Sequence, residues 1–172
     1  MKYTIAAIPT PYRGRMYRSR LEARWAAFFD GLGWEHEYEP FDLGAWSPDF
    51  LLPEFKILVE VKPIDAFDDE TFGRMCKAVR PQGVATASVL LVGVAPRITL
   101  THELHLGWLG AAHRDMDDAW SCSIRPCPDG RRFSDGIADH ANDDHTLPLA
   151  MVQQTMDVWG AAANAVQWNP RS

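Results

Sequence analysis

From Ser47 to Lys62 the chain reads Ser-Pro-Asp-Phe-Leu-Leu-Pro-Glu-Phe-Lys-Ile-Leu-Val-Glu-Val-Lys, two short β-rich runs around Pro53-Glu54. Such runs predict a β-hairpin. With Pro53-Glu54-Phe55-Lys56 as the loop, its centre falls between Glu54 and Phe55, and Asp49 pairs directly across from Glu60. Directly opposed residues hold their β-carbons about 4.5–5.5 Å apart. Strand side chains alternate between faces, so Lys62 shares the face of Asp49 and Glu60. Phe50, Leu52, Ile57, Val59 and Val61 all point to the other side. One face of the hairpin is thus fit for a core, and the other gathers two carboxylates and an ammonium group.

Carboxylates placed opposite each other destabilise a sheet unless something positive lies between them. A divalent cation is the natural occupant. Oxygen ligands suit Mg²⁺ or Mn²⁺, which bind through one or two carboxylates and retain waters. Such an ion polarises a phosphoryl oxygen and acidifies a bound water, while a lysine beside it orients the nucleophile and steadies developing charge. Asp49, Glu60 and Lys62 therefore read as machinery for phosphodiester hydrolysis.

The preceding segment supports the same picture. Leu21, Trp25, Phe28, Phe29 and Leu32 recur at helical spacing over 18–32, with Gly31 and Gly33 marking the stop. On a wheel of about 100° per residue, Glu22 and Arg18 fall at the sheet-facing edge of the apolar stripe, and Arg20 and Arg24 point outward. Residues 34–41 alternate as a strand, 69–80 form a helix ended by Pro81, and 88–94 are a continuous apolar run suited to a doubly covered central strand. Residues 103–109 and 119–124 are expected as strands and 149–166 as a closing helix. This order predicts an α/β domain with a mixed central β-sheet flanked by helices.

Ser47-Pro48-Asp49-Phe50 followed by Val59-Glu60-Val61-Lys62, behind a helix reading Arg18-Ser19-Arg20-Leu21-Glu22, resembles the PD-(D/E)XK nuclease superfamily. It is most similar to small phage- and prophage-encoded members with an R-S-x-x-E helix, a P-D-F strand and an E-V-K-P strand. The resemblance spans 17–95 and implies a restriction-endonuclease-like core. It implies Asp49 and Glu60 as metal ligands, Lys62 as the catalytic lysine, and Glu22 as an accessory ligand or metal-water anchor. Residues 1–16 are then an N-terminal arm, loosely structured because of Pro9, Pro11 and Gly14, and 96–172 a C-terminal extension with a long loop at 126–146. The implied activity is a Mg²⁺- or Mn²⁺-dependent endonuclease acting on DNA, of phage type.

A net charge of −6 argues against a nucleic-acid binder, but the charge is uneven. Residues 1–24 carry Lys2, Arg13, Arg15, Arg18, Arg20 and Arg24 against Glu22 alone, so Arg13, Arg15, Arg18 and Arg20 are the candidate phosphate contacts. Residues 115–145 carry eight aspartates against three arginines. That acidic region motivates an alternative: a non-catalytic phage accessory protein that binds a host protein through it. A nuclease subunit that needs a partner to hold DNA is a third reading, and a homodimer stays open. The longest apolar runs fall short of the roughly 18 residues of a membrane helix. The start has too short an apolar stretch for a signal peptide, and three cysteines form no disulfide framework. A cytoplasmic location, bacterial or in a phage-infected host cell, is the expectation.

Cys122, Cys127, His140 and His145 have the spacing C-x4-C-x12-H-x4-H of a structural Zn²⁺ site. The segment lacks the hydrophobic residues that pack behind such a metal, Phe133 being nearly alone. Two buried thiols and two solvated histidines account for the same letters, and that reading is preferred. Cys76 reads as a core thiol, and His102, His105 and His113 as ordinary imidazoles. His36 sits on a strand that neighbours the hairpin, and Trp46 either borders the cleft or belongs to the core.

Overall fold

The computed structural model describes residues 7–79, 88–98, 104–111, 120–127, 130–134 and 149–167. The Ser47–Lys62 segment forms the expected hairpin, with β4 (Phe50–Leu52) antiparallel to β5 (Ile57–Val61). Leu52 faces Ile57, Leu51 faces Leu58 and Phe50 faces Val59. The pairing ends at Phe50↔Val59; Asp49, one residue before β4, departs from that register, its N–H donating to the Val59 carbonyl (2.9 Å). The loop closes through Phe55 N–H to the Leu52 carbonyl (3.2 Å) and Lys56 N–H to the Pro53 carbonyl (3.2 Å).

The other strands extend this hairpin into a seven-stranded sheet. β3 (Glu37–Tyr38) pairs antiparallel with β4 on one side. β6 (Ser88–Ile98) runs parallel to β5, and β7 (Leu104–Ala111), β8 (Trp120–Cys127) and β9 (Gly130–Ser134) continue antiparallel. A parallel β5–β6 pair needs a crossover, and α2 (Asp69–Val79) lies within it. The architecture is α/β, a mixed sheet flanked by helices.

Both faces of the sheet are covered around its central strands, which is why β5 is buried along its whole length. α1 (Arg20–Leu32) and α3 (Leu149–Ala165) occupy one face. There Trp25, Phe28 and Phe29 of α1 and Trp159 of α3 meet Phe50, Leu52, Val59, Leu90 and Val92, with the Trp25 and Trp159 rings 4.7 Å apart. On the opposite face Phe72, Met75, Cys76 and Val79 of α2 cover Leu58, Val89 and Leu91. The apolar run of β6 is thus divided by alternation between two cores, each fully buried side chain contributing about 1.5–3 kcal/mol. Cys76 is a buried thiol, as read. Among the described residues no helix is long and apolar enough to cross a membrane.

Several expectations are corrected. Within the described part of the arm, Thr10–Tyr12 (β1) and Arg15–Tyr17 (β2) pair antiparallel as a small ribbon where loose chain was expected. Its two-residue turn, Arg13-Gly14, has both φ angles positive (45° and 78°), the requirement of the turn that matches strand twist. Within 126–146, expected as a loop, β9 pairs with β8 from Ser123↔Ser134 to Cys127↔Gly130. The strand expected over 34–41 shrinks to two residues because Trp34 turns into the core and Glu39 takes a positive φ of 47°. Arg24, expected to point outward, lies over the Trp159 ring at 3.8 Å and donates to the Trp159 carbonyl (3.1 Å). His102, His113, His140, His145 and all eight aspartates of 115–145 lie outside the described residues, and with them the zinc pattern and the acidic surface.

Candidate active site

Four chain segments converge at the open end of the β4–β5 hairpin. The first is the start of α1. Ser19 caps it, its hydroxyl oxygen accepting the Glu22 N–H (3.1 Å) while the hydroxyl donates to Glu22 Oε1 (2.8 Å). That reciprocal cap fixes the Glu22 side chain against the sheet, where the residue is 8% exposed. The second is Tyr38 of β3, whose hydroxyl donates to Glu22 Oε2 (2.5 Å) and accepts the backbone N–H of Arg18 (3.0 Å). Burial, and then the bond to Glu22, push the Tyr38 hydroxyl up to about 12.

The third segment carries Asp49, 3% exposed. Its N–H donates to the Val59 carbonyl (2.9 Å), and its Oδ2 accepts the Val61 N–H (2.7 Å), so the backbone of β5 holds both its main chain and its side chain. Its Oδ1 is in contact with the Arg18 guanidinium. Burial first, and the Glu60 charge second, push the Asp49 carboxyl up to about 7, with Glu22 adding to the rise. The Val61 N–H and Arg18 oppose this without cancelling it. A rise of that kind marks a place where negative charge is poorly solvated and crowded, so that the carboxyl holds its proton to higher pH than an ordinary aspartate.

The fourth is the end of β5. Glu60, 4% exposed, accepts the Trp46 indole N–H on Oε2 (2.6 Å) and the Lys62 ammonium on Oε1 (2.6 Å). Lys62 itself is 36% exposed at its side chain. It lines a cavity of about 330 Å³ together with Ile8, Ser19, Arg20, Glu22 and Pro63. The backbone holds the lysine in place: Lys62 N–H donates to the Val92 carbonyl (3.0 Å) and Val94 N–H to the Ile64 carbonyl (3.0 Å). Gly93 permits that close approach, since a β-carbon there would lie 2.4 Å from the Ile64 carbonyl oxygen.

Arg18 ties the acids together. Its Nε lies 2.9 Å from Glu39 and 3.7 Å from Glu22, and its Nη2 contacts Asp49. Burial works against its charge, but the Tyr38 hydroxyl and the Asp49, Glu22 and Glu39 carboxylates outweigh that and hold it above its ordinary value. Among the described residues, no group of three or more His, Cys, Asp or Glu side chains is placed to hold a metal ion. Both Glu22 oxygens are engaged, Oε1 by the Ser19 hydroxyl and Oε2 by the Tyr38 hydroxyl.

The remaining candidates fall elsewhere. Arg13, 72% exposed at its side chain, pairs with Asp30 (3.1 Å), and the Arg15 guanidinium lies 6.0 Å from the Tyr38 ring centroid. Arg20 lines the cavity, but Arg18 is committed to carboxylates. His36 pairs with Asp30 (3.2 Å), beside Phe29 and Phe50. His105 stacks edge-on against Trp108 in β7. Trp46 is both alternatives at once, buried in the α2-side core with its N–H on the site. Sequence reasoning missed Tyr38, Glu39 and Gly93. A helix-cap serine with Glu three residues on was the visible sign that Glu22 would be fixed. No family model matches the chain, and no curated protein or solved structure matches it.

Proposed function

We propose that the chain is a Mg²⁺- or Mn²⁺-dependent phosphodiesterase acting on DNA, of the PD-(D/E)XK kind that its P-D-F and E-V-K strings resemble. The observation that carries this reading is the burial of both Asp49 and Glu60 at the end of the hairpin, close enough that the Asp49 carboxyl is pushed up to about 7 chiefly by burial and by Glu60. A fold does not confine two acids together to strengthen itself; the arrangement costs stability and so points to a ligand. The donors fit a small hard cation, since both are carboxylate oxygens and such ions bind through one or two carboxylates.

Asp49 and Glu60 would hold the ion. When bound, it supplies Lewis acidity to a phosphoryl oxygen and a more acidic coordinated water. Lys62 faces the cavity with its ammonium fixed on Glu60, positioned to orient a nucleophilic water and offset charge on the attacked phosphate. Trp46 screens Glu60 from solvent and strengthens the electrostatics there. Glu22 acts indirectly, fixing Tyr38 and through it the backbone of Arg18. Arg20 in the cavity wall, with Arg13 and Arg15 on the β1–β2 ribbon, are the cations available for backbone phosphates.

The test is cleavage of duplex, single-stranded and branched DNA, and of RNA, with Mg²⁺ or Mn²⁺. Wild type is expected to cut DNA, and Lys62→Ala to lose about 10²–10⁴-fold in rate, the range for one positioned charged or proton-handling group. Equal behaviour of the two proteins on every substrate would remove the assignment.

A further inference from the structure

We propose that Arg18 is the resident counter-ion of the carboxylate cluster and that a divalent cation enters by displacing it. This rests on the metal-binding reading above and deepens it. The observation is the way in which the carboxylate oxygens are occupied. Asp49 Oδ2 accepts the buried Val61 N–H (2.7 Å), leaving Oδ1 as the oxygen on which Arg18 sits. Glu60 is held by Trp46 and Lys62, both at 2.6 Å, and Glu22 by Ser19 and Tyr38. A guanidinium and a metal ion both seek the same in-plane lone pairs of Asp49, and they repel each other at contact distance.

Arg18 is the partner that is able to leave. Trp46 is 5% exposed and packed into the core beneath α2, and the Val61 N–H belongs to the sheet. The Arg18 side chain is 56% exposed, and its backbone N–H is anchored independently on the Tyr38 hydroxyl (3.0 Å). Rotating the side chain outward therefore leaves the fold undisturbed. Glu39, whose side chain is 46% exposed, lies 2.9 Å from Arg18 Nε and offers a resting partner at the rim. Arg18 also has a structural reason to be there. With no cation of any kind, Asp49, Glu60 and Glu22 would face each other uncompensated, so the arginine keeps the empty cluster folded. The same contact makes it a competitor, and metal affinity becomes the difference between two cations' claims on one carboxylate.

The experiment is Mn²⁺ binding to the full chain without nucleic acid. Free Mn²⁺ is counted by electron paramagnetic resonance for wild type, Arg18→Gln and Arg18→Lys. Arg18→Gln is expected to bind about tenfold tighter or more, the scale of one charge-assisted hydrogen bond removed from the competing state. Arg18→Lys keeps the charge and the fold but reaches a single partner with its point charge, so its affinity is expected to fall between the two. If Arg18→Gln fails to fold, Arg18→Lys decides alone. Equal or weaker Mn²⁺ affinity in Arg18→Lys, or no Mn²⁺ binding by any of the proteins, overturns the proposal. Tighter binding in the variants with no nucleic acid cut by wild type would uphold the displacement and remove the nuclease reading. Metal-dependent cleavage with unchanged affinity in Arg18→Lys would do the reverse.

Discussion

At the scale of single residues, Asp49 is the group whose environment is hardest to explain as structure alone. Its carboxyl moves from an ordinary value of 3.8 to about 7 through burial and the nearby Glu60 charge. The folded chain therefore binds that proton more tightly than the unfolded chain does. The resulting stability is fully present below about pH 4, declines as pH rises, and is gone above about pH 7. In metal-free protein with a chelator, wild type should lose stability relative to Asp49→Asn as pH is raised from about 5 to about 8, by about 2–3 kcal/mol. Thermal unfolding of the two proteins across that range checks it, and parallel curves would mean that Asp49 is not under the strain described. The hairpin register was legible from loop length, since a four-residue loop pairs Leu52 with Ile57 and Phe50 with Val59, as found; the departure from that register at Asp49 was not. Nor was the group that occupies its Oδ1. The helical wheel counted Arg18 as part of α1, whereas Ser19 caps the helix and leaves Arg18 outside it, free to reach Asp49 and Glu39 together.

At the scale of elements, the lysine owes its position to two strands and a glycine. Lys62 follows the last residue of β5, and its segment is sewn to β6 through the Val92 and Ile64 carbonyls. Any side chain at position 93 would meet the Ile64 carbonyl oxygen at 2.4 Å, a backbone atom that can yield only by moving the segment. Gly93→Ala is expected to destabilise by about 1–3 kcal/mol, as overpacking does. It should also lower the cleavage rate beyond what the lost stability explains, since the lysine moves with its backbone. Denaturant unfolding and a rate measured well below the midpoint separate the two effects. Nothing in Leu-Val-Gly-Val announces this contact, because a glycine within a strand pattern says only that something comes close. The β1–β2 ribbon was hidden for a related reason. Its turn is Arg13-Gly14 rather than the Asn-Gly or Asp-Gly that signals such a turn, and the prolines around it read as irregular chain. The β8–β9 pair was masked by composition, although Pro128-Asp129-Gly130 is itself a turn sequence.

For the whole molecule, helices cover both faces of the sheet around β4, β5 and β6, and the site sits where the β4–β5 hairpin opens beside the start of α1. Rigid strands fix Asp49, Glu60 and Lys62, while the groups that can move, Arg18 and the Lys62 side chain, lie toward solvent. The mixed α/β architecture followed from the order of periodic segments, since apolar runs and helical stripes are whole-element signals that survive local error. The convergence of four segments on one pair of acids did not, because it depends on tertiary contacts between residues far apart in sequence, such as Trp46 with Glu60 and Tyr38 with Glu22. The most direct measurement is a crystal soaked in Mn²⁺ and its anomalous diffraction. The account predicts a peak about 2 Å from a carboxylate oxygen of Asp49 and one of Glu60, with the Arg18 guanidinium moved off Asp49. A map with no peak there, and Arg18 still seated on Asp49 in saturating Mn²⁺, would contradict it.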